Sequence, residues 1–198
     1  MQRTIIWLIP LLIIVLGTGC AKKPLPEPLP DPMTEAYLLE HIEVSYPEEN
    51  LVSIVLPSRI SSPRYLGLKG GLSTTFNAQL TLDDRDEITD IIPPRYLLLF
   101  SLKATEWGGF NTAVDTAGKQ HDVFAYTSYI RDGVYYDNYY ISVPRSWLET
   151  AAQKETTLLF LGPKGELTVT IPPVYPGTLL KYIDSGGFHS AAPAGDAP

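Results

Sequence analysis

The chain predicts a mainly β domain: an antiparallel β-sandwich or partly open barrel carrying two or three short helices. Three observations lead there. Phe76, Ala78, Leu80 and Leu82 alternate with Asn77, Gln79 and Thr81, the period of a half-buried strand. Asp132-Gly133 and Gly162-Pro163-Lys164-Gly165 are turn signals between runs rich in Tyr, Thr, Val and Leu. Helical signals are short and scattered among frequent turns.

Taken in order, residues 34–42 read as a short helix capped by Thr34. Leu51–Leu56 is a short apolar strand, followed by the alternating strand around Phe76. Tyr96–Leu102 is nearly all apolar, the expectation for a central strand covered on both faces. Asp132-Gly133 favours a type I′ turn, which pairs Arg131 with Val134 and sets the register. That register places Phe124, Tyr126, Ile130, Tyr135, Tyr139 and Ile141 on a core face. Tyr129, Tyr136 and Tyr140, with Thr127, Asn138 and Ser142, fall on the opposite face. Ser146-Trp147-Leu148-Glu149 fits a capping box for a second helix. Thr157–Leu161 and Glu166–Ile171 form a second hairpin. Pro176–Asp184 reads as a last helix stopped by Gly186.

The N-terminus has a different character. Arg3 precedes an apolar run, Thr4–Leu16, and the small residues Gly17, Thr18 and Gly19 lead to Cys20, the single cysteine. This is the layout of a secretory signal, too short for a comfortable transmembrane helix. The segment resembles the lipobox of bacterial lipoproteins, although that family favours Leu where Gly17 stands. The resemblance implies cleavage after residue 19 and lipidation of Cys20. It also implies three acyl chains, against the marginal membrane binding of a single chain. In diderm members an Asp after the cysteine retains the protein in the inner membrane. Ala21 stands there, so the resemblance points to the outer membrane of a diderm envelope. It leaves open whether the domain faces the periplasm or the surface.

Residues 20–33 then form a tether. Pro alternates through residues 24–32, the composition of polyproline II, and 21–33 would span up to about 40 Å. The expected organisation is a signal peptide at 1–19, the lipidated tether at 20–33, one domain at 34–185 and a disordered tail at 186–198.

Lys and Arg number 15 against 22 Asp and Glu, a net charge of −7. Such a balance argues against nucleic acid as a partner. Lys22-Lys23, beside the anchor, suits anionic headgroups. With Cys20 lipidated, the domain has neither a disulfide nor a cysteine nucleophile, and its 44% hydrophobic content must supply the core.

No catalytic motif emerges. His41, His121 and His189 lack close metal-ligand spacing, and no G-x-S-x-G elbow, P-loop or dinucleotide glycine pattern occurs. The sequence therefore implies neither a metal nor a cofactor. The acidic run Asp83–Glu87, with Asp90, offers oxygen ligands for a cation but lacks EF-hand spacing, and a solvated turn is the favoured reading. The aromatic residues are the stronger lead. Tyr129, Tyr136 and Tyr140, with Trp107 and Phe110 in a Gly-containing loop, are candidate partner or ligand contacts, although closing one end of the core is the favoured reading of the two loop rings. The expected function is that of a non-enzymatic envelope module docking a protein partner. The alternatives are a glycan or small-ligand binder using the Tyr face, and a hydrolase using scattered carboxylates or His121.

Overall fold

The computed structural model describes residues 34–191, except 62, 64–67, 69–70, 84, 86 and 90–91. Cys20, the tether and residues 192–198 lie outside the described residues. The elements are α1 (Glu35–Glu40), β1 (Glu43–Glu48), β2 (Leu51–Val55), β3 (Arg59–Ser61), β4 (Leu72–Thr81), β5 (Arg95–Ala104), β6 (Thr112–Asp115), β7 (Gln120–Asp122), β8 (Phe124–Arg131), β9 (Val134–Val143), α2 (Arg145–Ala151), β10 (Thr156–Gly162), β11 (Gly165–Ile171) and α3 (Val174–Asp184). A 3-10 turn follows at Gly187–Ala191.

The strands form two antiparallel sheets. The larger runs β1-β2-β4-β5-β9-β8, with β3 also paired to β4; the smaller runs β11-β10-β6-β7. Alternate residues of β4 and β5 (Leu72, Phe76, Ala78, Leu80, Leu98, Phe100) are buried and face the smaller sheet and the helices. Phe100 of β5 meets Phe160 of β10 edge to face, centroids 4.5 Å apart, which joins the two sheets. Farther along the same face, Phe76 contacts Tyr175 of α3. The expected β-sandwich with short helices is the observed architecture.

Local chemistry explains most boundaries. Thr34 Oγ1 accepts the Tyr37 amide and caps α1. Asp132 and Gly133 have φ of 52° and 73°, as a type I′ turn requires, and Arg131 pairs with Val134. Gly162 pairs with Gly165 across the second hairpin.

Five expectations need correction. Strand β5 is covered on one face only: Leu97 and Leu99 stay half-buried because, among the described residues, no layer lies over that side. The capping box at Ser146 does not form. Instead α2 begins two residues earlier, after Pro144, where Arg145 binds Glu149 and makes a two-pronged contact with Asp184. Helix α3 starts at Val174, since Pro173 and Pro176 both fit a first helical turn. The folded chain also runs past residue 185. Gly186 (φ 67°) ends α3 but turns the chain back, and Phe188 packs into the core at 1% exposure while Tyr46 donates to its carbonyl at 2.5 Å. Finally, Phe124, Tyr126 and Ile130 are 47%, 52% and 54% exposed, not core.

Candidate functional site

That last correction defines the site. Register along β8 and β9 shifts between Ala125 and Thr127, leaving Tyr126 as an extra, bulged residue. A one-residue slip inverts every side chain beyond it. Phe124 therefore joins the outer face, opposite Tyr140, while Ile130 lies at the hairpin tip beyond the reach of the core.

The outer face carries two cross-strand rows. Lys103, Tyr136 and Tyr129 stand side by side on β5, β9 and β8, and Leu99, Tyr140 and Phe124 do the same farther along. In the first row Tyr129 and Tyr136 stack nearly parallel, 4° apart with centroids at 4.8 Å, and Lys103 Nζ lies 5.5 Å from the Tyr136 ring. In the second, Phe124 stacks on Tyr140 at 5.3 Å, and Tyr126 leans toward Tyr140. Between the rows, Ser101 Oγ donates to Asn138 Oδ1 at 2.6 Å, and Asn138 Nδ2 donates to the Thr127 carbonyl at 3.3 Å.

Stacking across neighbouring strands fixes how the rings stand. The 4.8 Å spacing matches the distance between strands, so the ring normals point along the hydrogen-bonding direction. The rings therefore stand against one another instead of lying side by side flat on the sheet. A sugar-stacking platform needs ring faces lying flat on the surface, and these are not flat.

The base of the hairpin is anchored from inside. Asp137, 3% exposed, accepts from the Gly108 amide and Ser128 Oγ, both at 2.8 Å. Gly109, at φ 62°, donates its amide to the Tyr139 hydroxyl at 2.9 Å. Burial, with the Asp137 carboxylate beside it, pushes the Tyr139 phenol well above its ordinary range, so it keeps its proton. These bonds hold the 106–110 loop against β9. Trp107 is 38% exposed and meets Tyr135 edge to face at 4.7 Å, next to the aromatic rows. Phe110 is 4% exposed between Tyr139 and Phe160, so it closes the core and offers no surface to a partner.

A second cluster was not visible in the sequence. Asp115 ends β6, and its Oδ1 accepts the Ala117 and Lys119 amides at 2.9 Å. Its Oδ2 accepts from Trp147 Nε1 at 3.0 Å and contacts His121 Nε2 at 3.1 Å. Burial raises the Asp115 carboxyl, but the His121 bond, the two amides and Trp147 outweigh it and hold it below the ordinary value of 3.8. A cleft of about 260 Å³ opens over this turn, with Lys119, Lys154, Ser146 and Thr150 among its walls. His121 does not line it and is 6% exposed. The pair's evident work is structural: it closes the β6–β7 turn and pins α2 through Trp147.

Asp83 Oδ1 accepts the Arg85 and Glu87 amides, the bonding of a turn; Asp84, Asp86 and Asp90 lie outside the described residues. Among the described residues no three His, Cys, Asp or Glu side chains gather as a metal site, and no helix is long and apolar enough to cross a membrane. No protein family, curated protein or solved structure matches the chain.

Proposed function

We propose that this protein is a lipid-anchored envelope lipoprotein whose β-sandwich docks a protein partner through the outer face of the β8–β9 hairpin. The observation that carries the reading is the pair of stacked aromatic rows, Tyr129–Tyr136 and Phe124–Tyr140, on a strand exposed along its whole length. Stacked tyrosines offer apolar rings and hydroxyls together, the combination enriched where proteins meet. The rings are stacked on each other and leave little ring face open for a sugar, which supports the docking reading over the glycan one.

Charge supports the same face. The chain carries net charge −7, yet β4, β5, β8 and β9 place no Asp or Glu on this side, whereas Arg95, Lys103 and Arg131 lie on it. The anchor part of the proposal rests on the lipobox resemblance around Cys20 and on the proline tether.

Two experiments test it. Cross-linking in native membranes, followed by mass spectrometry, is expected to yield one dominant protein. That adduct disappears in the Tyr129→Ala, Tyr136→Ala, Tyr140→Ala variant while its circular dichroism and melting stay unchanged. No adduct above background, combined with affinity for envelope polysaccharide, would transfer the site to the glycan reading. For the anchor, mass spectrometry of the membrane-extracted protein is expected to show a chain that begins at Cys20 and carries acyl groups there. A chain that begins elsewhere, or an unmodified Cys20, contradicts lipidation at Cys20.

A further inference from the structure

Among the described residues the two sheets end on β1, β8, β7 and β11, with the three-residue β3 as a further short edge beside β4, and every edge but β8 is guarded. Strand β1 carries Glu43, Pro47 and Glu48, with a register shift between Ser45 and Glu48. Strand β7 is three residues long and includes Asp122. Strand β11 carries Glu166, and Arg59 Nη1 reaches across to the Thr170 carbonyl at 2.8 Å. Short length, charge, Pro and bulges are the usual means of keeping an edge from pairing with another chain. Strand β8 differs: it spans eight exposed residues, and among them Arg131 is the single charge and there is no Pro. Among the described residues no strand lies beyond it.

The aromatic rows run in the direction in which a further strand would add. Lys103, Tyr136 and Tyr129 lie on successive strands, so the free face of Tyr129 points past the edge of the sheet, and that of Phe124 does likewise. The backbone is set for the same partner. A two-residue turn makes Arg131 and Val134 a hydrogen-bonded pair, so Tyr129 is also turned toward β9. Ser128 and Ile130 then direct their N–H and C=O groups at the open edge.

We infer that the docking partner binds by strand addition, laying an extended segment along β8. This deepens the docking reading above and rests on it. The rows define the segment's chemistry. Residues on this face recur every second position. One aromatic or flat apolar side chain stacks on Phe124, a small polar one faces Thr127, and a second aromatic stacks on Tyr129. An acidic residue two positions farther on meets Arg131 in place of Asp132, whose Oδ2 lies 3.7 Å from Arg131 Nε, in keeping with strands β5, β8 and β9, which put Lys103 and Arg131 but no Asp or Glu on this side. A second copy of this chain is the poorer occupant, because two chains of net charge −7 repel each other.

The test uses the full chain in detergent and a fluorescein-labelled octapeptide, Thr-Tyr-Thr-Ser-Thr-Tyr-Thr-Glu, with a shuffled peptide as control. Ile130→Pro removes an edge-facing N–H while leaving the bonds to β9 and the Tyr face in place. Ile130→Ala controls for the lost side chain, and circular dichroism reports whether each variant folds. The expected result is saturable anisotropy with the ordered peptide, weakened about tenfold or more by Ile130→Pro but not by Ile130→Ala. Should Ile130→Pro unfold the hairpin, amide exchange at Ser128 and Ile130 in the unmodified protein replaces it, with protection expected on peptide addition. Binding that is lost in Tyr129→Ala, Tyr136→Ala but unchanged by Ile130→Pro overturns strand addition and leaves face docking standing. No binding of either peptide also overturns it. So does sedimentation showing a dimer that Ile130→Pro dissolves, since the occupant is then a second copy.

Discussion

Asp115→Ala is expected to destabilise the domain by about 3 kcal/mol or more, the cost of removing one partner from a buried, fully bonded polar cluster. Four donors converge on this carboxylate: two amides of its own turn, the Trp147 indole and His121. Truncation orphans all of them at once and loosens α2 from β6. Asp115→Asn keeps one acceptor oxygen and should lose roughly half as much. Urea unfolding followed by tryptophan fluorescence measures both, because Trp147 itself reports on the cluster. The folded carboxyl lies below its ordinary 3.8, so its contribution is complete above that value and disappears as pH falls through the lower folded one. Wild type should therefore lose more stability than Asp115→Asn as pH drops from about 5 to about 2. Equal acid sensitivity in the two proteins contradicts this.

Asp137→Ala is the second large effect, expected at about 2–3 kcal/mol. Its carboxylate joins the Gly108 amide to Ser128, and so ties the 106–110 loop to both strands of the aromatic hairpin. Without it, hydrogen exchange should quicken at residues 106–110 and 128 before it does in β4 or β5. The Trp107–Tyr135 contact should loosen with it. Because the aromatic rows take their position from this hairpin, partner capture should weaken although no outer-face residue has changed. Uniform exchange across all strands would mean that Asp137 serves general stability and not the hairpin.

Much of this arrangement was legible in the sequence, and what was hidden has a physical cause. Asp132-Gly133 fixed the β8–β9 register near the turn, so Tyr129 and Tyr136 were correctly placed opposite one another on the outer face. The bulge at Tyr126 was not legible, because nothing local distinguishes it from an ordinary strand position, yet it alone moves Phe124 outward. Strand β1 was masked by Pro47 and its glutamates, residues that mark a guarded edge and read as loop. Asp115 and His121 lie on a hairpin too short to show a period, and their third partner, Trp147, is 32 residues from Asp115. The Asp115–Gly118 turn was the one available signal, since Gly118 takes a φ of 80° there. Phe188 stood out as the single large apolar residue in an Ala-, Gly- and Pro-rich tail, and its burial carries the domain past the expected end.

The central claim is that the β8 edge meets a protein in the envelope. It is tested most directly by placing a photo-cross-linking phenylalanine at Tyr126 in the full chain and illuminating intact cells. A matched variant carries it at Ser45 on the guarded β1 edge. The account predicts one discrete protein adduct from Tyr126, absent from Ser45 and lost when Tyr129 and Tyr136 are changed to Ala. Equal adducts from both edges, or none from Tyr126, would contradict it.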